Sequence, residues 1–197
     1  MAAENEVKLK KSEILRKKIF LRAIELFGER GFENVRIADI CESLGIATGS
    51  FYYYYPSKEA IFIEYSQAAD DLMRDFVANM EYSSQADRLK QLVTEKVRMF
   101  SVVGQKMSNT CLAAFIKHCD ASSMDIGRTA YVEFKKALED GIACGEFRQD
   151  VDVDMLTSIL RYIIAGMTLR WVSSREPFDI DGSMSEHLDS IINTILK

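Results

Sequence analysis

Apolar residues recur at intervals of three and four along most of this chain, the period of a helix with one buried face. Ile14, Leu15, Ile19, Phe20, Ala23, Ile24, Leu26 and Phe27 form one such stripe, with Arg16, Lys17, Lys18, Arg22 and Glu25 between them. That helix is expected to end near Gly28–Gly31, where a glycine can adopt the left-handed conformation of a C-cap. A short helix over Ile37–Leu44 is closed by Gly45, and a second, from about Ala47 to Tyr54, stops before Pro56. Ser57 is placed to cap a long helix through Lys58, Ile61, Phe62, Tyr65, Ala69, Leu72, Met73 and Phe76. Further helices are predicted at about 85–104, 109–119, 125–144, 152–174 and 184–196. Gly104, Ser122–Ser123, Gly145 and the stretch from Pro177 to Gly182 separate them, with Asp152 and Ser183 as caps. The only prolines are at 56 and 177, and no alternating strand pattern persists. The fold class is therefore all α, with about nine helices.

One segment breaks the amphipathic rule. From Asp154 to Val172 almost every position is apolar, so this helix needs cover on both sides. One side can face the core and the other a partner. The last helix carries a second stripe, and two such helices per subunit can pair across a two-fold axis into a four-helix interface. The residues expected there are Leu156, Ile159 and Ile163 with Leu188, Ile191, Ile192 and Ile195. A central core helix in a monomer is the alternative.

Composition narrows the function. The 197 residues are 48% hydrophobic and 28% charged, enough for a core that needs neither disulfide nor metal. No apolar run is long enough to span a membrane, and the first residues lack the apolar stretch of a signal peptide, so a cytoplasmic location is expected. Cys41, Cys111, Cys119 and Cys144 show no metal-site spacing and read as reduced thiols, with a redox sensor as the alternative. His118 and His187 lie in different predicted helices with no metal partner. No phosphate-binding glycine loop, zinc-protease motif or nucleophile elbow is present, so neither catalysis nor a cofactor or metal is expected. Charge is uneven: residues 1–58 carry a net of +2 and residues 59–197 a net of −7, as if the head meets an anion and the body does not.

The stretch IADICESLGIATGSFYYYYPSK, residues 37–58, reads as helix, tight turn, helix. Ile37, Ile40, Cys41 and Leu44 face inward from the first helix, Ile46 and Phe51 from the turn and the second, and small Cys41 lets the helices approach. That is helix-turn-helix geometry, whose second helix fits a DNA major groove about 12 Å wide. Thr48, Gly49 and Ser50 are short, so the backbone there can come close to base edges. Tyr52, Tyr53, Tyr54 and Tyr55 place hydroxyls around one turn: Tyr53 and Tyr54 are expected at the surface and Tyr55 in the core. Lys58, at the start of the next helix, adds its charge to the free amides there as a phosphate site.

These residues resemble a known family. DICESLGIATGSFYYYYPSKEAI is similar to the signature of TetR-type transcriptional regulators, and LRAIELFGERGFENV to the helix before it; the resemblance spans residues 13–73. It implies an amino-terminal arm over residues 1–12, a three-helix DNA-binding head over 13–73, and an effector-binding, dimerising body over 74–197. It also implies base contacts from Thr48, Gly49, Ser50 and Tyr53, and backbone contacts from Tyr52, Tyr54 and Lys58. Two positions depart from the family pattern. Arg36 stands where threonine is usual, so its charge can meet phosphate but its side chain cannot cap, and Ala47 replaces the usual Ser or Thr cap of the recognition helix.

A single recognition helix reads few base pairs, so a homodimer on a palindromic operator is expected. The resemblance implies repression, relieved when a small molecule enters the body. Met99, Phe100, Val103, Met107, Phe115, His118, Tyr131, Phe134, Tyr162, Met167 and Trp171 are the candidate lining, with His118 and Arg161 as polar anchors, and suit an apolar or aromatic effector. The same residues also read as ordinary core. A DNA-binding nucleoid or division-linked scaffold without an effector, and a helical dimerisation module whose helix-turn-helix is core, are the other readings.

Overall fold

The computed structural model describes the backbone of residues 2–118, 128–176 and 178–197, with side chains from 11 to 113 and from 129 onward, Pro177 excepted. These residues form nine α-helices in chain order: α1 (Ala2–Arg30), α2 (Ile37–Leu44), α3 (Thr48–Tyr54), α4 (Lys58–Asn79), α5 (Gln85–Val103), α6 (Gln105–His118), α7 (Arg128–Ala143), α8 (Val153–Ser173) and α9 (Ile180–Ile195). The segment read as an arm is thus the first three turns of α1. The predicted break at Ser122–Ser123 lies outside the described residues, as does Cys119.

Two apolar cores account for the architecture. In the head, Ile19, Ala23, Leu26 and Phe27 of α1 close on Phe32, Val35, Ile40, Cys41, Phe51, Tyr55, Ile61 and Phe62. Gly31, at φ 84°, turns the chain out of α1 into a 3-10 turn over Phe32–Asn34 that inserts the Phe32 ring edge-on against Phe27 and Phe62. Gly45, at φ 65°, ends α2 in the left-handed conformation, and the Ile46 N–H donates back to the Cys41 carbonyl at 3.0 Å. Ser57 caps α4 as predicted, its Oγ accepting from the Ala60 N–H at 3.4 Å.

In the body, α5 packs chiefly on α7 and α9. Leu89, Leu92, Val93 and Val97 meet Phe134, Ala137, Leu138, Phe147, Leu188 and Ile192. The Glu146 carboxylate accepts from the Gln85 and Ala86 N–H groups at 2.7 and 2.9 Å, joining the chain after α7 to the free amides at the start of α5. Arg88, almost fully buried, donates to Glu133 and Asp140 at 2.7 and 2.8 Å. The ring of Phe147 lies so close to Gly141 that a Cβ there would stand 2.2 Å from it.

Three expectations are corrected. α6 begins at Gln105, directly after Gly104. α9 begins at Ile180 because Asp179, not Ser183, supplies the cap, accepting from the Gly182 N–H at 3.0 Å. The exposed face of α8 is also different from the one expected. Leu156, Leu188, Ile192 and Ile195 are buried in the subunit's own core, and Ile163 and Ile191 pack against it. Leu160, Ile164 and Thr168 complete the inward face of α8, while Met155, Ile159, Tyr162 and Leu169 form a second, outward stripe. Of the predicted interface residues, Ile159 alone belongs to that stripe. A helix apolar all round does not reveal which face turns inward; the polar surface of α9 (Glu186, Asp189, Asn193) opposite its single buried stripe settles it.

Candidate DNA-recognition surface and ligand cavity

The amino-terminal end of α3 has no side-chain cap. Ala47 provides only its carbonyl, which accepts from the Ser50 N–H at 2.9 Å, and Thr48 is the first helical residue. Phe51 anchors the helix by a ring with no exposure, packed on Tyr52 and Tyr55. Around that anchor Thr48 and Gly49 are exposed and Ser50 is half-buried. Nothing lies within 4 Å of a Cβ placed on Gly49, so the fold itself does not demand glycine there. Tyr53 is 79% exposed and Tyr52 54%, whereas Tyr55 retains 2%. Tyr54 is half-buried and accepts at its hydroxyl from Ser12 at 3.2 Å, which fixes it against α1. Burial pushes the Tyr55 phenol up to about 12, with Glu64 adding to the effect, so it is neutral at any ordinary pH.

The two departures from the family pattern have local explanations. Asp39 takes over the start of α2: its Oδ2 accepts from the Arg36 N–H at 2.8 Å and its Oδ1 from the Arg36 guanidinium at 3.1 Å. That backbone bond, with the guanidinium beside it, holds the Asp39 carboxyl below its usual range. The Arg36 side chain stays largely exposed. At α3, burial raises the Cys41 thiol pKa, and the neighbouring Thr48 offsets part of that rise.

Lys58 is more constrained than the sequence implied. Its ammonium donates to the carbonyls of Phe32 and Val35 at 2.7 and 3.1 Å and lies 4.3 Å from the centre of the Phe32 ring. Two of its three protons therefore hold the chain between α1 and α2.

Between head and body lies a cavity of about 220 Å³. Its walls come from α4 (Phe62, Tyr65, Ser66, Ala69, Asp70), α5 (Lys96, Met99, Phe100, Val103), α6 (Ser108, Cys111, Leu112), α7 (Tyr131) and α8 (Ile164, Ala165, Thr168). Of the predicted lining, Met99, Phe100, Val103 and Tyr131 are there. Met107 instead packs on α1, its sulfur 3.7 Å from a Cβ built on Gly28. Phe134 is sealed in the body core, and Tyr162, 71% exposed, points outward. Met167 and Trp171 pack against the core outside the cavity walls. The side chains of Phe115 and His118 lie outside the described residues. The other predicted anchor, Arg161, lies over the Tyr131 ring at 5.3 Å, outside the cavity walls.

The sequence reading missed α4 as a wall and Lys96 as a charge. The available signal was polar: Ser66, Asp70 and Lys96 sit at positions that an uninterrupted apolar stripe would fill. Burial pushes the Tyr65 phenol and the Cys111 thiol up to about 12 and raises Tyr131, so these walls are neutral. Cys41 and Cys111 are protonated for the same reason, which suits packing rather than redox chemistry. No cluster of metal-binding side chains occurs, and no helix is long and apolar enough to cross a membrane, among the described residues.

Comparison with known proteins agrees with this arrangement. The family pattern described as "Bacterial regulatory proteins, tetR family" matches residues 19–65, which run from α1 to the first turns of α4. The HTH-type transcriptional repressor KstR2 of Rhodococcus jostii is 29% identical over 187 residues, covering 87% of this chain and 86% of that protein. Its namesake from Mycolicibacterium smegmatis is 23% identical, with 89% and 87% covered. Among solved structures, a putative transcriptional regulator from Saccharomonospora viridis in complex with choline superimposes with a TM-score of 0.74 at 23% identity, covering 94% of this chain and 99% of that one. That likeness shows the fold.

Proposed function

Because the chain belongs to the TetR family of DNA-binding transcriptional regulators, we propose that it is a cytoplasmic repressor that binds a palindromic operator as a homodimer and leaves it when a small, largely apolar effector fills the cavity. Thr48, Gly49, Ser50 and Tyr53 face base edges. Tyr52, Tyr54, Arg36 and the remaining proton of Lys58 meet the phosphates on either side. The outward stripe of α8 (Met155, Ile159, Tyr162 and Leu169) covers its counterpart across the two-fold axis, which sets the separation of the two recognition helices.

The observation that carries this reading is Phe62. Its ring belongs to the head core, against Phe32, and also lines the cavity in the body. Cys111 is shared in the same way, and its helix grips the end of α1 through Thr110, whose hydroxyl donates to the Phe27 carbonyl at 3.3 Å. An occupant that displaces Phe62 or α6 therefore moves the head. To act as a switch it must favour the displaced state by several kcal/mol. Family membership supports a regulator of transcription over a scaffold, and the shared ring supports one that answers to a ligand.

A charge placed in the α8 stripe tests the assembly. Leu169→Glu should give a particle of one subunit's mass by light scattering and lose salt-dependent binding to duplex DNA, with helicity unchanged. Wild-type mass and wild-type DNA affinity in that variant would contradict the dimer.

A further inference from the structure

Lys96 reaches the cavity from α5 with no carboxylate in ion-pair contact among the described residues. Its ammonium lies 5.6 Å from the centre of the Phe100 ring, itself a cavity wall, and the described residues give it no hydrogen bond or ion pair, only the longer-range attraction of Asp70. The nearby carboxylate, Asp70, is occupied: Oδ1 accepts from the Thr129 N–H at 3.3 Å, and Oδ2 accepts from the Thr129 hydroxyl at 2.8 Å and from Arg74 at 2.7 Å. Opposite, on α8, the Thr168 hydroxyl is buried with no partner among the described residues. Ser66 and Ser108 give their protons to the Phe62 and Phe100 carbonyls, so neither competes for an incoming group. The remaining walls are aromatic rings, aliphatic side chains, Met99 and the Cys111 thiol.

A half-buried cation lining a cavity and a buried hydroxyl without a partner among the described residues are each costly unless something satisfies them. We propose that the cavity binds a carboxylic acid with an apolar body, its carboxylate accepting from Lys96 Nζ and Thr168 Oγ1 while the hydrocarbon part fills the space between Phe62, Phe100 and Tyr131. One uncompensated positive charge suits one negative charge. Asp70 stands close enough to disfavour a doubly charged phosphate. The volume, below the 300–1,000 Å³ usual for drug-sized ligands, suits a short chain or a single ring. The burial that lowers the Lys96 pKa in the empty protein is the same desolvation that strengthens an ion pair once the anion arrives.

This assignment names the effector class of the regulator proposed above and rests on that reading, but it is tested without DNA. Octanoate, octanamide and octyltrimethylammonium are titrated calorimetrically into the full chain. Octanoate should bind at least about tenfold more tightly than octanamide, as expected for hydrogen bonds to a charged group, and the quaternary ammonium should bind least. Lys96→Met should abolish the preference for octanoate and leave octanamide affinity within about twofold; Lys96→Arg should restore much of the preference. Thermal melting without ligand shows whether the variants fold, and Lys96→Met should melt no lower than wild type because it removes a buried charge. Equal affinity for octanoate and octanamide, no binding of octanoate at millimolar concentration, or a preference that survives Lys96→Met would overturn the proposal. Binding of octanoate by a chain that shows no salt-dependent affinity for duplex DNA would keep the acid site and remove the regulator.

Discussion

The head and the body bury their apolar residues in contrasting ways. The head core is assembled from four helices within about 45 residues of chain, with Phe27, Phe51 and Ile61 fully enclosed and its turns fixed by Gly31, Gly45 and Ser57. The body gathers α5, α7, α8 and α9 from across more than 100 residues, and where it meets the head it leaves a cavity lined by Lys96 and by a Thr168 hydroxyl with no partner among the described residues. A reading device must present a fixed face. A sensing device needs room and an unsatisfied group. Under the proposed function the difference in packing follows that division of labour, and Phe62 and Cys111, which belong to the head core and also line the cavity, join the two regions.

The sharpest way to break the contrast is to open the head. Phe51→Ala removes the ring on which α3 rests and should lower stability by about 3–5 kcal/mol in denaturant unfolding. DNA binding should disappear before the body helices melt. Gly141→Ala is the matching insult to the body: its Cβ would overlap the Phe147 ring, at a cost of about 1–3 kcal/mol, with the recognition face untouched. Tyr53→Ala should weaken operator binding by about 1–3 kcal/mol without lowering the melting temperature. Gly49→Leu should do the same, since the fold has space for the side chain and a groove does not. Lys58→Met strands the Phe32 and Val35 carbonyls and should reduce head stability by about 1–2 kcal/mol. A loss of phosphate affinity with no loss of stability would mean those bonds matter less than their lengths suggest.

The smallest effect concerns pH. Since the folded Asp39 carboxyl titrates below its unfolded value, its contribution to the start of α2 is complete above about pH 4 and fades as pH falls through the lowered pKa. Protection of the Arg36 amide, which donates to the Asp39 carboxylate, against hydrogen exchange should fall only in that acidic range. An unprotected Arg36 amide already at neutral pH would remove Asp39 as the cap.

The sequence announced the head more fully than the body, for a physical reason. Head contacts are local, so stripe, glycine turn, cap and aromatic run all lie within a few turns of each other, and the αL glycine at 45 and the cap at 57 could be placed to the residue. In the body the same apolar letters serve core, cavity and outward stripe. Tyr162 and Tyr131 look alike in sequence, yet one faces solvent and the other the cavity, because α7 and α8 cross at a register that no local pattern records. Polar exceptions were the better guide: Lys96, Asp70 and Thr168 mark the cavity, and the polar back of α9 marks which side of α8 stays open.

The proposed repressor is tested most directly by the duplexes its α3 helices recognise. Selection of bound duplexes from a randomised pool by the full-length protein should yield one two-fold symmetric sequence, its half-sites separated by whole helical turns of about 34–36 Å. Tyr53→Ala should blur the inner positions of each half-site, and Leu169→Glu should abolish the enrichment. Recovery of unselected sequence, or of a single half-site without symmetry, would contradict it.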